Sequence, residues 1–213
     1  MRNKALYYPL LVGATLALAG CANEVDTMST AVEETTTVTD QVVTNLNGII
    51  DHESNLQSQF EQTLNEDAEL ATLSDGTATV YENIDSRESL LGELETSNSE
   101  FDAIAEEVNG IEPEQFTTEE VESLYNSIDA TSTSLESYIS SYQTFLDNQR
   151  SYFESLAADD ANYEAFQTGI DSIQEEDAQI QELVSQLNTN LTEVNETAQT
   201  LSEKITALES ENQ

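Results

Sequence analysis

Residues 163–208 run YEAFQTGIDSIQEEDAQIQELVSQLNTNLTEVNETAQTLSEKITAL. Counted in alternating steps of three and four from Tyr163, the chain passes Phe166, Ile170, Ile173, Asp177, Ile180, Val184, Leu187, Leu191, Val194, Ala198, Leu201, Ile205 and Leu208. Thirteen of these 14 positions are apolar, against 38% of the whole chain. A mean step of 3.5 residues keeps one stripe of a helix turned toward a partner and winds the pair into a left-handed supercoil. A disordered acidic chain has no reason to keep such a period. The segment therefore reads as a long helix packed along a seam.

Working back toward the N-terminus, the pattern recurs. Val121, Leu124, Ile128, Leu135, Tyr138, Tyr142, Phe145, Tyr152 and Leu156 keep the same steps. So do Val80, Ile84, Leu91, Leu94, Phe101, Ala105 and Val108, with Arg87 and Asn98 standing on the seam. The first segment carries Met28, Val32, Val42, Leu46, Ile49, Leu56, Phe60 and Leu70, with Glu53 on the seam. Ser74-Asp75-Gly76 reads as a turn, glycine being free to take a left-handed backbone. Gly110 and Pro113 end the second helix, and Thr117 with Glu120 predicts a capping box at the start of the third. Residues 157–162 make the last turn. Connections this short force neighbouring helices to run in opposite directions.

The expected fold is all-α: an elongated antiparallel four-helix coiled-coil bundle, with helices near 24–73, 77–109, 118–157 and 162–210. At 1.5 Å per residue the outer two reach roughly 70 Å. Being longer than the inner two, they are expected to pair alone over part of their length as a two-stranded stalk. The first helix is the weakest by propensity, because Thr35-Thr36-Thr37 and similar residues form helices poorly.

The N-terminus has another job. Arg2 and Lys4 precede an apolar run from Ala5 to Leu18, the layout of a secretory signal and too short to cross a bilayer as a stable helix. Leu18-Ala19-Gly20-Cys21 closes it in the manner of a bacterial lipobox, and Cys21 is the single cysteine of the chain. In lipoproteins the peptide is cut before that cysteine and a diacylglyceryl group joins its sulfur. Residues 1–20 are thus read as a cleaved signal and 21–213 as one helical domain, held to the outer face of the cell membrane by lipid on Cys21. Two acyl chains suffice for stable anchoring where one does not.

Beyond the signal three basic residues, Arg87, Arg150 and Lys204, face 43 acidic ones, a net charge of −40. Nucleic acid is excluded as a partner, because phosphate binding needs Lys and Arg. Anionic lipid repels such a surface. Acid spread evenly along the chain, with almost no lysine, points to a salt- or alkali-adapted organism, since molar salt screens charges beyond about 3 Å.

A lipobox signal followed by helical hairpins resembles the cell-wall-binding lipoproteins of Gram-positive bacteria, the YkyA-like group. Arg87-Glu88, Glu100-Phe101-Asp102 and the aromatic run Tyr138, Tyr142, Phe145, Tyr152, Phe153 carry the resemblance through the mature chain. It implies a role in contact with the wall. The chain departs from the group in filling its surface with Ser, Thr, Asn and Gln where lysine is usual.

Catalytic, cofactor and metal sites are not expected. His52, the single histidine, has Ile49 three positions earlier and lacks the Glu-x-x-His spacing of a helical di-metal site. Carboxylate pairs for glycoside hydrolysis need a cleft, which a slender bundle lacks. Capture of a small-molecule solute usually needs two closing lobes. Tyr125 and Phe153 lie just off the aromatic seam and are the candidates for surface contact. Arg87 on the seam must find a carboxylate, and pairing about the 74–76 turn places it near Leu64, fixing the alignment of the first two helices. The functional expectation is a non-catalytic envelope lipoprotein that contacts peptidoglycan, or alternatively a spacer whose partner is another envelope protein.

Overall fold

The computed structural model describes residues 18–158 and 161–211, with side chains from Glu24 onward. Four long helices and one short turn make up the described residues: α1 (Leu18–Glu66), α2 (Ala71–Ser74), α3 (Thr79–Asn109), α4 (Thr118–Leu156) and α5 (Tyr163–Glu211). The long helices pack as a ring, α1 on α3, α3 on α4, α4 on α5, and α5 back on α1. Along three of these pairs the contacting residue numbers move in opposite senses. Asn83 meets His52 while residues 114–116 meet Glu24. Asp85 meets Arg150 while Asp102 meets Ser132. Asn148 meets Glu176 while Glu120 meets Lys204.

The seam residues fill the centre of the ring. Ile180, Leu187, Leu191, Val194, Ala198, Leu201 and Ile205 of α5 are buried, as are Leu91, Leu94 and Phe101 of α3 and Leu124, Ile128 and Leu135 of α4. The threonine-rich part of α1 joins this core. Thr35 and Thr39 are buried because their hydroxyls donate to the carbonyls of Ala31 (2.6 Å) and Thr35 (2.8 Å), one turn back in their own helix. A hydroxyl satisfied inside its own helix no longer demands water. Tertiary burial thus outweighs the poor propensity of Thr35-Thr36-Thr37.

Two expectations are corrected. The first helix, expected to reach residue 73, stops at Glu66. Asp67 accepts from the backbone N–H (2.6 Å) and hydroxyl (2.7 Å) of Thr72, Leu70 takes a left-handed backbone (φ 54°), and α2 folds over as a separate turn. Gly76 (φ 78°) then completes the turn into α3, with Asp75 holding Thr77. The second correction concerns the stalk, which does not occur among the described residues. The α3–α4 connection reaches level with Glu24, close to the start of α1, and α4 begins level with Lys204 near the end of α5. Four strands of helix or loop therefore run side by side at the end where the stalk was expected.

Candidate functional site

Lys204 staples the bundle near the Glu24 end, and Arg87 and Arg150 staple it side by side toward the other. Lys204 donates to Glu120 (2.6 Å) and lies over the Phe116 ring at 5.0 Å. Thr117 and Glu120 form the expected capping box beside it. Burial alone raises the Glu120 pKa, but bonds from Lys204 and Thr117 outweigh it and hold the carboxyl below its ordinary value. Arg150, toward the other end, donates to Asp85 (2.5 Å) and lies 3.4 Å from Glu88, with its guanidinium 5.8 Å from the Tyr81 ring centre.

Arg87 is wholly buried at the same level as Arg150. Its Nη1 donates to the Tyr142 hydroxyl (3.1 Å) and its Nη2 to Gln149 Oε1 (2.6 Å). Tyr142 in turn donates to Glu53 Oε1 (2.7 Å), which stands 3.9 Å from Arg87 Nη1. Desolvation raises the Glu53 pKa; the Tyr142 bond and the Arg87 charge oppose this without cancelling it, and Asp177 adds to the rise. Arg87 Nε has no partner. The expected carboxylate exists, but it is Glu53 rather than a group near Leu64, and the direct bonds go to α4. The early end of α1 and the extra turn α2 shift the pairing by 11 residues. The group ties α1, α3 and α4 together and carries no exposed nucleophile.

The aromatic seam is core. Tyr138, Tyr142 and Phe145 are buried, with Tyr138 and Tyr142 stacked at 5.3 Å. Burial pushes both phenols well above their ordinary range. The surface candidates need correction. Phe153 is 4% exposed, packed on Phe60 (5.3 Å) and Tyr152 (5.6 Å), and Tyr125 is half-buried against the core. Both belong to a second row on α4 at seven-residue steps, Tyr125, Ser132, Ile139, Leu146 and Phe153. In a bundle, each helix buries a stripe wider than one seam, and this neighbouring row fills it.

A different aromatic is exposed instead. At the end of the bundle far from Glu24, rings run outward from Phe60 and Tyr81 through Phe153, Tyr152 and Phe166 to Tyr163. Tyr163 is 77% exposed, though it opens the α5 seam, because α4 ends at Leu156 and offers it no partner. Beside it lies a groove between α4 and α5 lined by Asn148, Tyr152, Asn162, Glu164, Thr168 and Glu176. Tyr152 packs so closely on Gly169 that a Cβ there would run into its ring.

The model of a protein family described as "YkyA: Putative cell-wall binding lipoprotein" matches residues 23–204. The chain belongs to the YkyA family. No curated protein and no solved structure matches it. The YkyA match takes in Arg87, Tyr125 and Phe153 and begins two residues after Cys21. Leu18, Ala19, Gly20 and Cys21 stand at the start of α1, and their side chains, like the whole of 1–17, lie outside the described residues. Among the described residues no cluster of His, Cys, Asp and Glu forms a metal site, and no helix is long and apolar enough to cross a membrane. His52 is half-buried and contributes its backbone carbonyl to Asn83 (2.7 Å).

Proposed function

We propose that this YkyA-family chain is a non-catalytic lipoprotein, anchored by lipid on Cys21 to the outer face of the cell membrane, whose antiparallel coiled-coil bundle carries its far end into contact with the cell wall. The observation that carries the reading is the opposition of the two ends. Cys21 stands at one end of α1, and the exposed Tyr163 with its polar groove stands at the other, roughly 60 Å away along α5 at 1.5 Å per residue. An exposed ring beside amides, hydroxyls and the carboxylates of Glu164 and Glu176, all able to bond sugar hydroxyls, suits a neutral glycan. Anionic wall polymers do not fit a chain carrying 43 acids against three mature cations. The same charge balance supports a salt- or alkali-adapted source.

The test is co-sedimentation of residues 22–213 with purified sacculi, with and without teichoic acid, at low and at molar salt. Folded protein should pellet with bare sacculi, and Tyr163→Ala should weaken the association severalfold while leaving the circular dichroism unchanged. Folded protein that stays in the supernatant throughout would remove the wall reading.

One observation favours the alternative partner, another envelope protein. Val43, Ile50 and Leu64 on α1 are 41%, 49% and 44% exposed and lie at multiples of seven residues, so they share one face. Loss of a cross-linked protein partner on Ile50→Asp, with wall binding intact, would support that reading.

A further inference from the structure

We propose that the bundle stands on the membrane without a hinge, as a strut of fixed length that presents its far end at a set height above the lipid surface. The inference rests on lipid attachment at Cys21 and adds to it the geometry of the end nearest that residue.

A tether can be flexible only where the chain between lipid and fold is free to bend. Here the backbone at Cys21 lies in α1, and cleavage before that residue leaves Cys21, Ala22 and Asn23 as the first turn of the helix. Three residues later Glu24 is 6% exposed, and its carboxylate accepts the backbone N–H groups of Glu114 (2.9 Å), Gln115 (2.7 Å) and Phe116 (3.2 Å). Three converging donors on one buried carboxylate fix both the helix start and the loop. Phe116, buried in that loop, lies under Lys204 of α5, which also binds Glu120 at the start of α4. Within one turn of the lipidated residue, α1, the α3–α4 loop, α4 and α5 are thus fastened together. Ala22 and Asn23 alone lie between the anchor and this knot, and even fully extended the three steps from Cys21 to Glu24 span only about 10 Å.

Charge selects the orientation. A rod lying flat would press one acidic flank along its whole length against the headgroups, where an anionic leaflet repels it over a Debye length. Standing, it brings only the small end face near the lipid. Helix α1 then lifts its far end by roughly 65 Å at 1.5 Å per residue. Such a height suits a protein that spans from membrane to wall, and any ligand at Tyr163 would be met at that height alone.

The experiment uses the full lipidated protein, purified in detergent and reconstituted into supported bilayers of neutral lipid and of neutral lipid with one-third anionic lipid. Flotation with vesicles first establishes anchoring. Neutron reflectivity then gives the protein layer, expected at roughly 65–75 Å on the anionic bilayer, with the neutral one as the control that removes the repulsion. Ten Gly-Ser residues inserted between Asn23 and Glu24 should blur that layer and shift it outward from the headgroups. Glu24→Gln, which keeps the helix but loses the charge received by three N–H groups, should broaden it less. An anchored layer of about 25–30 Å on the anionic bilayer, the width of a bundle lying flat, overturns the strut while leaving lipid anchoring intact. An insertion variant whose layer matches wild type overturns the fixed leash. Failure to float with vesicles overturns the anchoring reading and the strut together.

Discussion

Arg87 offers the sharpest test of how the bundle is aligned. Replacing it with leucine removes two hydrogen bonds from a wholly buried cation, to Tyr142 at 3.1 Å and Gln149 at 2.6 Å, and leaves Gln149 Oε1 buried without its donor. An orphaned buried acceptor costs about 1–3 kcal/mol, and breaking a buried pair from one side reaches about 3–5 kcal/mol. Glu53 keeps some access to water, with 23% of its side chain exposed, so it can be resolvated in part and the lower range applies. The expected loss is about 2–4 kcal/mol, or roughly 5–15 °C in melting temperature for a chain of this length. Thermal and urea melts of residues 22–213 at molar salt, where surface repulsion is screened, give the number. The double variant Arg87→Leu, Gln149→Leu should recover part of the loss, because apolar groups can replace both partners of a buried polar pair. A single variant within about 0.5 kcal/mol of wild type, or a double variant with strictly additive losses, would show that this contact does not set the alignment.

Three further outcomes are expected. Gly92→Ala, exposed in α3 with open space around it, should stabilise by about 0.5–1 kcal/mol through helix propensity, whereas Gly169→Ala should destabilise by about 1 kcal/mol or more by displacing Tyr152; urea melts that rank the two equally would contradict the packing. Thr117→Ala should cost about 1 kcal/mol by removing the cap of α4, read from the same melts. Low-salt melting should be highest near pH 4.5: the Glu53 pKa lies above its ordinary 4.5, so its contribution is full below that value and lost as pH rises through the folded one, while Asp67 and Glu120 lie below theirs and contribute above them, losing this as pH falls through the folded values. Relief of repulsion among the acids adds to the first trend, and a melting temperature that climbs steadily toward pH 8 would refute the assignment.

The helices and their buried faces were readable because a 3.5-residue period leaves a mark at every turn. Leu187, Leu191, Val194 and Leu201 are buried where that period puts them. The register between α1 and α3 was not readable. It depends on where α1 stops, and that is decided by the Asp67–Thr72 bonds and by Leu70 in a backbone conformation its side chain does not advertise. A shift of 11 residues followed, moving the Arg87 carboxylate from the region of Leu64 to Glu53. Phe153 went wrong for a different reason. One seam suffices for two helices, but a ring of four buries a neighbouring row as well, and Ile139, Leu146 and Phe153 at seven-residue steps were the sign of it. Tyr163 reversed the error, since a seam position is buried only if a partner helix extends far enough to cover it.

The scarcity of cations has a consequence for resistance to proteolysis. Proteases that cut after lysine or arginine find three such residues after Cys21. Arg87 is sealed in the core, Arg150 is held by Asp85 and Glu88, and Lys204 by Glu120. All three lie inside helices, and a protease must draw its substrate out as an extended strand. Cleavage therefore waits on opening of the bundle, and digestion by trypsin becomes a clock for that opening rather than for any exposed loop.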